Sequence, residues 1–195
     1  MSDKRYVVGG ADGWLNVKRE RSGEIIGLPE YLQVEARSSE NDRDYFTVLE
    51  GVEKNKMFSV KAGNLKIGSP SYRPPARLTF SISKKKLSFP GGEIKAITVS
   101  RNPPPLGTIP IQIPDFLHIM GAAYQVHSLY AKTWFHLGQG HAVSGNNSTD
   151  RYLHTGLESA GCITVDPASW TRLYQYLILC RGNDGKTVGS VSVVR

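Results

Sequence analysis

The chain is expected to fold as a mainly β protein with a single helix near its C-terminal end, and three observations lead there. Short segments that alternate apolar with polar residues dominate from residue 4 to about 100. Gly, Asn, Asp and Ser separate these segments at close intervals, as turns require. Only one stretch, after Pro167, repeats its apolar residues at helical spacing. In chain order, strands are expected at 5–8, 14–17, 31–34, 45–49 and 57–60. The stretch 67–75 interrupts them, because Pro70, Pro74 and Pro75 have no N–H to give to a ladder. The domain boundary is placed there, giving a small β-rich accessory segment over 1–70 and a second unit over 76–195. That unit opens with alternation at 77–83 and 85–89, and Pro90-Gly91-Gly92 then turns the chain into 93–99, a β-meander. In the helix, Trp170, Leu173, Tyr174, Leu177 and Ile178 share a face before Gly182, with Asp166 expected as its cap. A last strand is expected at 187–194. No internal repeat or low-complexity tract is visible.

Composition narrows the function classes. The 195 residues are 39% hydrophobic and 21% charged, ordinary for a folded soluble chain with one substantial core. A formal charge of +7 and a pI near 9.4 favour acidic polymers as partners. Nucleic acid is not expected, since the basic residues are dispersed and no helix-turn-helix or aromatic RNA-binding pattern occurs. The one tight basic run, Lys84-Lys85-Lys86, reads as a solvated turn. The apolar run Tyr6-Val7-Val8 is too short for a signal peptide or a membrane span, so the chain is expected to be made without an export signal. Two cysteines, Cys162 and Cys180, do not make a disulfide framework.

The residues around Cys162 carry the chemistry. A thiol attacks a carbonyl as its thiolate, so it needs a base or a positive field nearby and N–H groups where the oxyanion forms. Gly161 lets a substrate approach the backbone closely, and the N–H groups of Gly161 and Cys162 are the expected oxyanion donors. His154 lies eight positions upstream with Gly156 between, so a short loop can bring its imidazole to the sulfur. Ser159 is read as orienting the loop or the substrate. His136, in a strand-like segment, is the alternative base. Arg151 is a candidate contact for a substrate carboxylate, and Gly156 and Ala160 are expected to border the substrate. The competing structural reading makes Cys162 a buried small residue and His154 a plain strand residue. A zinc site from His154, Cys162, Cys180 and another histidine is disfavoured because no paired CxxC or HxxxH unit occurs. No cofactor is called for. Cys180 reads as a core thiol, His118 and His127 as strand-end or surface residues, and His141 as a solvated or substrate-edge residue of the loop 140–150.

Tyr152-Leu153-His154-Thr155-Gly156 followed by Ser159-Ala160-Gly161-Cys162-Ile163-Thr164-Val165 resembles the signature of the L,D-transpeptidase catalytic domain. Residues 102–111 and 77–101 resemble that family's earlier strands, so the likeness covers about 77–194. It implies a β-sandwich with one helix toward its C-terminal side and Cys162 acting on peptidoglycan stem peptides through a thioester. Histidine before cysteine also differs from papain-like and NlpC-type peptidases, whose cysteine comes first. Two features depart from the common pattern: Ala160 stands where many members have histidine, and the gap from His154 to Cys162 is short. The short gap resembles a divergent branch that includes type VI secretion effectors. That branch implies an antibacterial toxin acting in the periplasm or cell wall, with a delivery or immunity protein as partner. The alternative function is a non-catalytic wall- or polyanion-binding module.

Overall fold

The computed structural model describes residues 3–138 and 150–195, so His141 and most of the loop 140–150 lie outside the described residues. The chain is mainly β. Seven strands form one antiparallel sheet: β1 (Lys4–Val7), β2 (Trp14–Arg19), β3 (Ile25–Pro29), β4 (Gln33–Glu40), β5 (Arg43–Val48), β6 (Met57–Lys61) and β7 (Leu65–Ile67), in the order β3-β2-β6-β5-β4-β1-β7. Val7, Val17, Leu28, Val34, Phe46, Val48, Phe58 and Val60 are buried by it. Period-two alternation is what lets one face of a sheet carry such a set.

Eight further strands close a barrel: β8 (Ala76–Ser81), β9 (Lys86–Phe89), β10 (Gly92–Ile97), β11 (Gly107–Gln112), β12 (Phe135–Leu137), β13 (Arg151–Thr155), β14 (Ile163–Val165) and β15 (Thr187–Val194). Their order is β10-β14-β13-β12-β11-β15-β8-β9. The layered arrangement expected for 76–195 thus takes the form of a barrel, in which no strand edge is left unpaired. Two pairs are parallel: β15 on β8, and β13 on β14. Parallel neighbours ordinarily need a long crossover. Here residues 156–162 alone connect β13 to β14, and this tight link carries the Gly161-Cys162 turn.

A 3-10 helix spans Ile119–Tyr124, and α1 spans Pro167–Leu177. Trp170, Leu173, Tyr174 and Leu177 of α1 are buried, as its periodicity predicts. Asp166 occupies the cap position, yet its side chain makes no capping bond. Its N–H goes instead to the Lys95 carbonyl on β10, so the sheet rather than the cap sets where the helix starts. The helix ends at Leu177 with Ile178 as its C-cap, before Gly182 as expected, and Cys180 beyond it bridges Arg73.

One hydrophobic cluster runs through both the sheet and the barrel. Polar ties join them as well. Trp14 Nε1 donates to Thr133 Oγ1 at 2.7 Å, and the Tyr174 hydroxyl donates to Glu30 at 2.8 Å. The buried Arg181 guanidinium meets Glu50 at 3.0 Å and lies over the Tyr72 ring, whose hydroxyl donates to Glu50 at 2.8 Å.

Candidate active site

The candidate face of the barrel wall follows from strand register. His136 on β12 stands opposite Tyr152 on β13, and His154 on β13 stands opposite Thr164 on β14. Successive side chains alternate, so Phe135, Leu153 and Ile163 point into the core and are fully buried. His136, Tyr152, His154 and Thr164 therefore share the other face. Cys162 immediately precedes β14, which places it two residues before Thr164 and diagonal to His154. Its Sγ accepts the Tyr152 N–H at 3.3 Å, just ahead of the first β13–β14 pair.

The turn that presents the thiol is held by side chains. Ser159 Oγ donates to the Cys162 carbonyl at 2.8 Å and accepts the Gly161 N–H at 3.2 Å. Of the two expected oxyanion donors, the Gly161 N–H is thus committed to Ser159. Gly161 has φ +136°, and a Cβ there would come within 2.8 Å of Asn102 Nδ2. Asn102 donates to the Ala160 carbonyl at 3.2 Å, and Arg151 donates to Asn102 Oδ1 at 2.8 Å and to the Pro103 carbonyl at 3.3 Å. Arg151, Asn102 and Ala160 form a brace, and Arg151 brings positive charge to Cys162. Gly156 is buried, with Tyr124 and Thr164 where a Cβ would point.

The protonation of His154 follows from its partners. Nδ1 lies 2.8 Å from the Thr155 carbonyl, which can only accept, so Nδ1 carries the proton and Nε2 the lone pair. Nε2 lies 3.2 Å from Thr164 Oγ1. That hydroxyl has one proton and faces a second acceptor, the Glu158 carbonyl at 3.2 Å, so it cannot satisfy both. Burial lowers the His154 pKa to about 4, opposed by the Thr155 carbonyl. Burial also pushes the Cys162 thiol up, opposed by the Tyr152 N–H and the Arg151 charge. At neutral pH the two groups are thiol and neutral imidazole.

The structure thus gathers Cys162, His154, Gly161, Ser159, Ala160, Gly156 and Arg151 around one turn. His136 lies on the same face beyond Tyr152, with Nε2 3.7 Å from Asp150 and Nδ1 buried with no hydrogen-bond partner among the described residues. Cys180 is a free, buried thiol bonded to the Tyr176 carbonyl. His127 is exposed. His118 is not a surface residue: it is 9% exposed, paired with Asp115 at 3.0 Å and stacked between Phe116 and Trp134. Asp115, Trp134, Thr164 and Asn102 were missed in the sequence. The period-two repeats Trp134, His136 and Tyr152, His154 were the signal that marked this face. Among the described residues, no three His, Cys, Asp or Glu side chains group as a metal site.

No protein-family model matches the chain, and no curated protein matches it. Among solved structures the chain is similar to an L,D-transpeptidase from Mycobacterium tuberculosis H37Rv. The two share 14% identity over 96% of this chain and 100% of the other, with a TM-score of 0.37. A likeness this distant assigns neither a reaction nor a residue.

Proposed function

We propose that the chain is a cysteine-dependent acyltransferase of L,D-transpeptidase type that acts on the tetrapeptide stems of peptidoglycan. The observation that carries this reading is the diagonal placement of Cys162, immediately before β14, and His154 on the parallel neighbour β13, with Nδ1–H bonded to the Thr155 carbonyl and Nε2 unprotonated. That is the arrangement a general base needs beside a nucleophile. The substrate class rests on the Ser159-Ala160-Gly161-Cys162 motif and on the +7 charge, which suits an acidic wall polymer.

In this reaction His154 Nε2 takes the Cys162 proton as the sulfur attacks the carbonyl at the L-centre of the diaminopimelate residue. The Cys162 N–H and the Arg151 charge face the oxyanion. Collapse breaks the amide bond, and His154 returns its proton to the leaving D-alanine amine, leaving a thioester on Cys162. An amine then attacks the thioester and gives a cross-link, or water attacks and gives a trimmed stem. In either case the thiol is regenerated.

Two observations favour a second reading, a wall-binding module with a structural cysteine: the thiol is raised by burial, and Nε2 faces the Thr164 hydroxyl. Digestion of purified peptidoglycan followed by mass analysis separates the two. The acyltransferase releases D-alanine and carries a stem-peptide mass on Cys162, and Cys180→Ala does the same. D-alanine release that persists in Cys162→Ala, or its absence from the native chain, overturns the proposal. An antibacterial role with a delivery or immunity partner extends it. Fused to a secretory signal at equal periplasmic levels, the native chain should arrest or lyse cells and Cys162→Ala should not.

A further inference from the structure

Four rings stack in series beside the reactive turn. Phe116 and His118 have centroids 4.4 Å apart at 26°, His118 and Trp134 are 4.4 Å apart at 6°, and Trp134 and His154 are 4.3 Å apart at 24°. His154 therefore lies against one face of the indole and His118 against the other. The indole is itself held, since Nε1–H donates to the Ala131 carbonyl at 3.2 Å. His118 is fixed in turn by Nε2 against Asp115 Oδ1 at 3.0 Å. Asp115 is 6% exposed and accepts the Phe116 N–H on Oδ1 at 2.8 Å and the Tyr152 hydroxyl on Oδ2 at 3.3 Å. Tyr152 gives its own N–H to Cys162 Sγ. One buried carboxylate thus ends two lines of contact, through His118 and Trp134 to His154 and through Tyr152 to Cys162.

We infer that Asp115 and Trp134 are positioning residues that set the geometry of the Cys162–His154 pair. An imidazole on a strand keeps two soft motions, rotation about its Cβ–Cγ bond and tilt toward or away from its neighbour. The Nδ1–H bond to Thr155 restrains the first, and the indole face restrains the second. Without the stack the imidazole loses its fixed orientation on the strand beside Cys162, and misplacement by about 1 Å is enough to cost a large factor in rate. The stack also keeps water from the imidazole, in line with its low basicity. The ionisable groups around the ring are His118 across the indole, Asp115 and Tyr152 beside it, His136 and Asp150 beyond Tyr152, Cys162 across the strand pair and Arg151 earlier on β13.

This inference rests on the acyltransferase reading for its consequence in turnover, and on the ring geometry alone for its structural part. The test uses the full chain labelled with 15N-histidine. NMR follows the His154 tautomer and titration, alongside kcat and KM for D-alanine release, in the native chain and in Trp134→Phe, Trp134→Leu and Asp115→Asn, with circular dichroism to establish folding. In the native chain and Trp134→Phe, His154 should stay neutral with Nδ1 protonated until the pH nears 4. In Trp134→Leu it should titrate closer to the free value of about 6.5 and mix tautomers. There kcat should fall by about 10- to 100-fold with little change in KM. Asp115→Asn, which weakens the hold on His118 and Tyr152, should move both readouts the same way. Folded Trp134→Leu and Asp115→Asn proteins with native tautomer, titration and kcat would overturn the inference. Should Trp134→Leu not fold, Asp115→Asn against Trp134→Phe decides by the same readouts. Failure of the native chain to release D-alanine defeats the acyltransferase reading, and the NMR arm still decides the geometry.

Discussion

Burial moves Cys162 and His154 apart in basicity, raising the thiol and lowering the imidazole. No thiolate–imidazolium pair is therefore held in reserve, and in the proposed reaction the proton moves only as a substrate is attacked. Alkylation of Cys162 by iodoacetamide should climb only above the ordinary thiol range, about 8.5. A plateau between pH 5 and 8 would show a preformed thiolate and refute this. His154→Gln should lower D-alanine release by roughly 10²–10⁴-fold, the usual worth of general base assistance, and His136→Gln by much less. A greater loss at His136 would transfer the role. The same imidazole makes stability depend on pH. Its folded pKa is about 4 against the ordinary histidine value of 6.5, so between these values the unfolded chain binds the extra proton. The His154 contribution is complete above pH 6.5 and is lost as pH falls toward 4, with a full value of about 3 kcal/mol. Denaturant titrations at pH 7 and pH 4.5 should show native stability falling more than that of His154→Gln.

Among the elements, the link from β13 to β14 decides whether the thiol is presented. Gly161→Ala there meets both a left-handed backbone and the Asn102 side chain and carbonyl, at 2.8 and 2.9 Å. It should cost about 1–3 kcal/mol and displace Cys162. Thermal unfolding and the Cys162 alkylation rate check the two effects, and a variant with native values in both would show that the turn tolerates a side chain. This motif was legible because Gly, Ser and Cys sit within a few residues of one another. α1 and β15 were legible for the same local reason, each carrying its own periodicity. β3 and β7 were not. They are the two edge strands of the seven-stranded sheet, where Gly27 and Pro29 or a length of three residues weaken the strand pattern. The short β12 was visible only as a strand-like segment, and its partner β13 was needed to fix which face His136 takes.

Over the whole molecule, Glu50, Tyr72 and Arg181 tie the seven-stranded sheet, the connector and the chain after α1. Arg181 and Glu50 are 7% and 9% exposed in their side chains, so removing one leaves the other buried and unpaired. Glu50→Ala should lower stability by about 3–5 kcal/mol. With one hydrophobic cluster running through sheet and barrel, both should unfold in a single transition. Urea denaturation followed by circular dichroism and by tryptophan fluorescence checks this. Separate transitions would show that the sheet and the barrel are independent. The amino-acid sequence by itself determined the β class, the α-helix and the last strand, and it singled out the segment from His154 to Cys162 as the candidate site, because each is written in residues close along the chain. Only the tertiary structure decided that Asn102 braces a turn 58 residues away, that Asp115 reaches Tyr152 across 37 and that Glu50 meets Arg181 across 131. The physical reason is that strand register and barrel closure are set by many cross-strand contacts at once, and no single segment records which distant residue will stand opposite it.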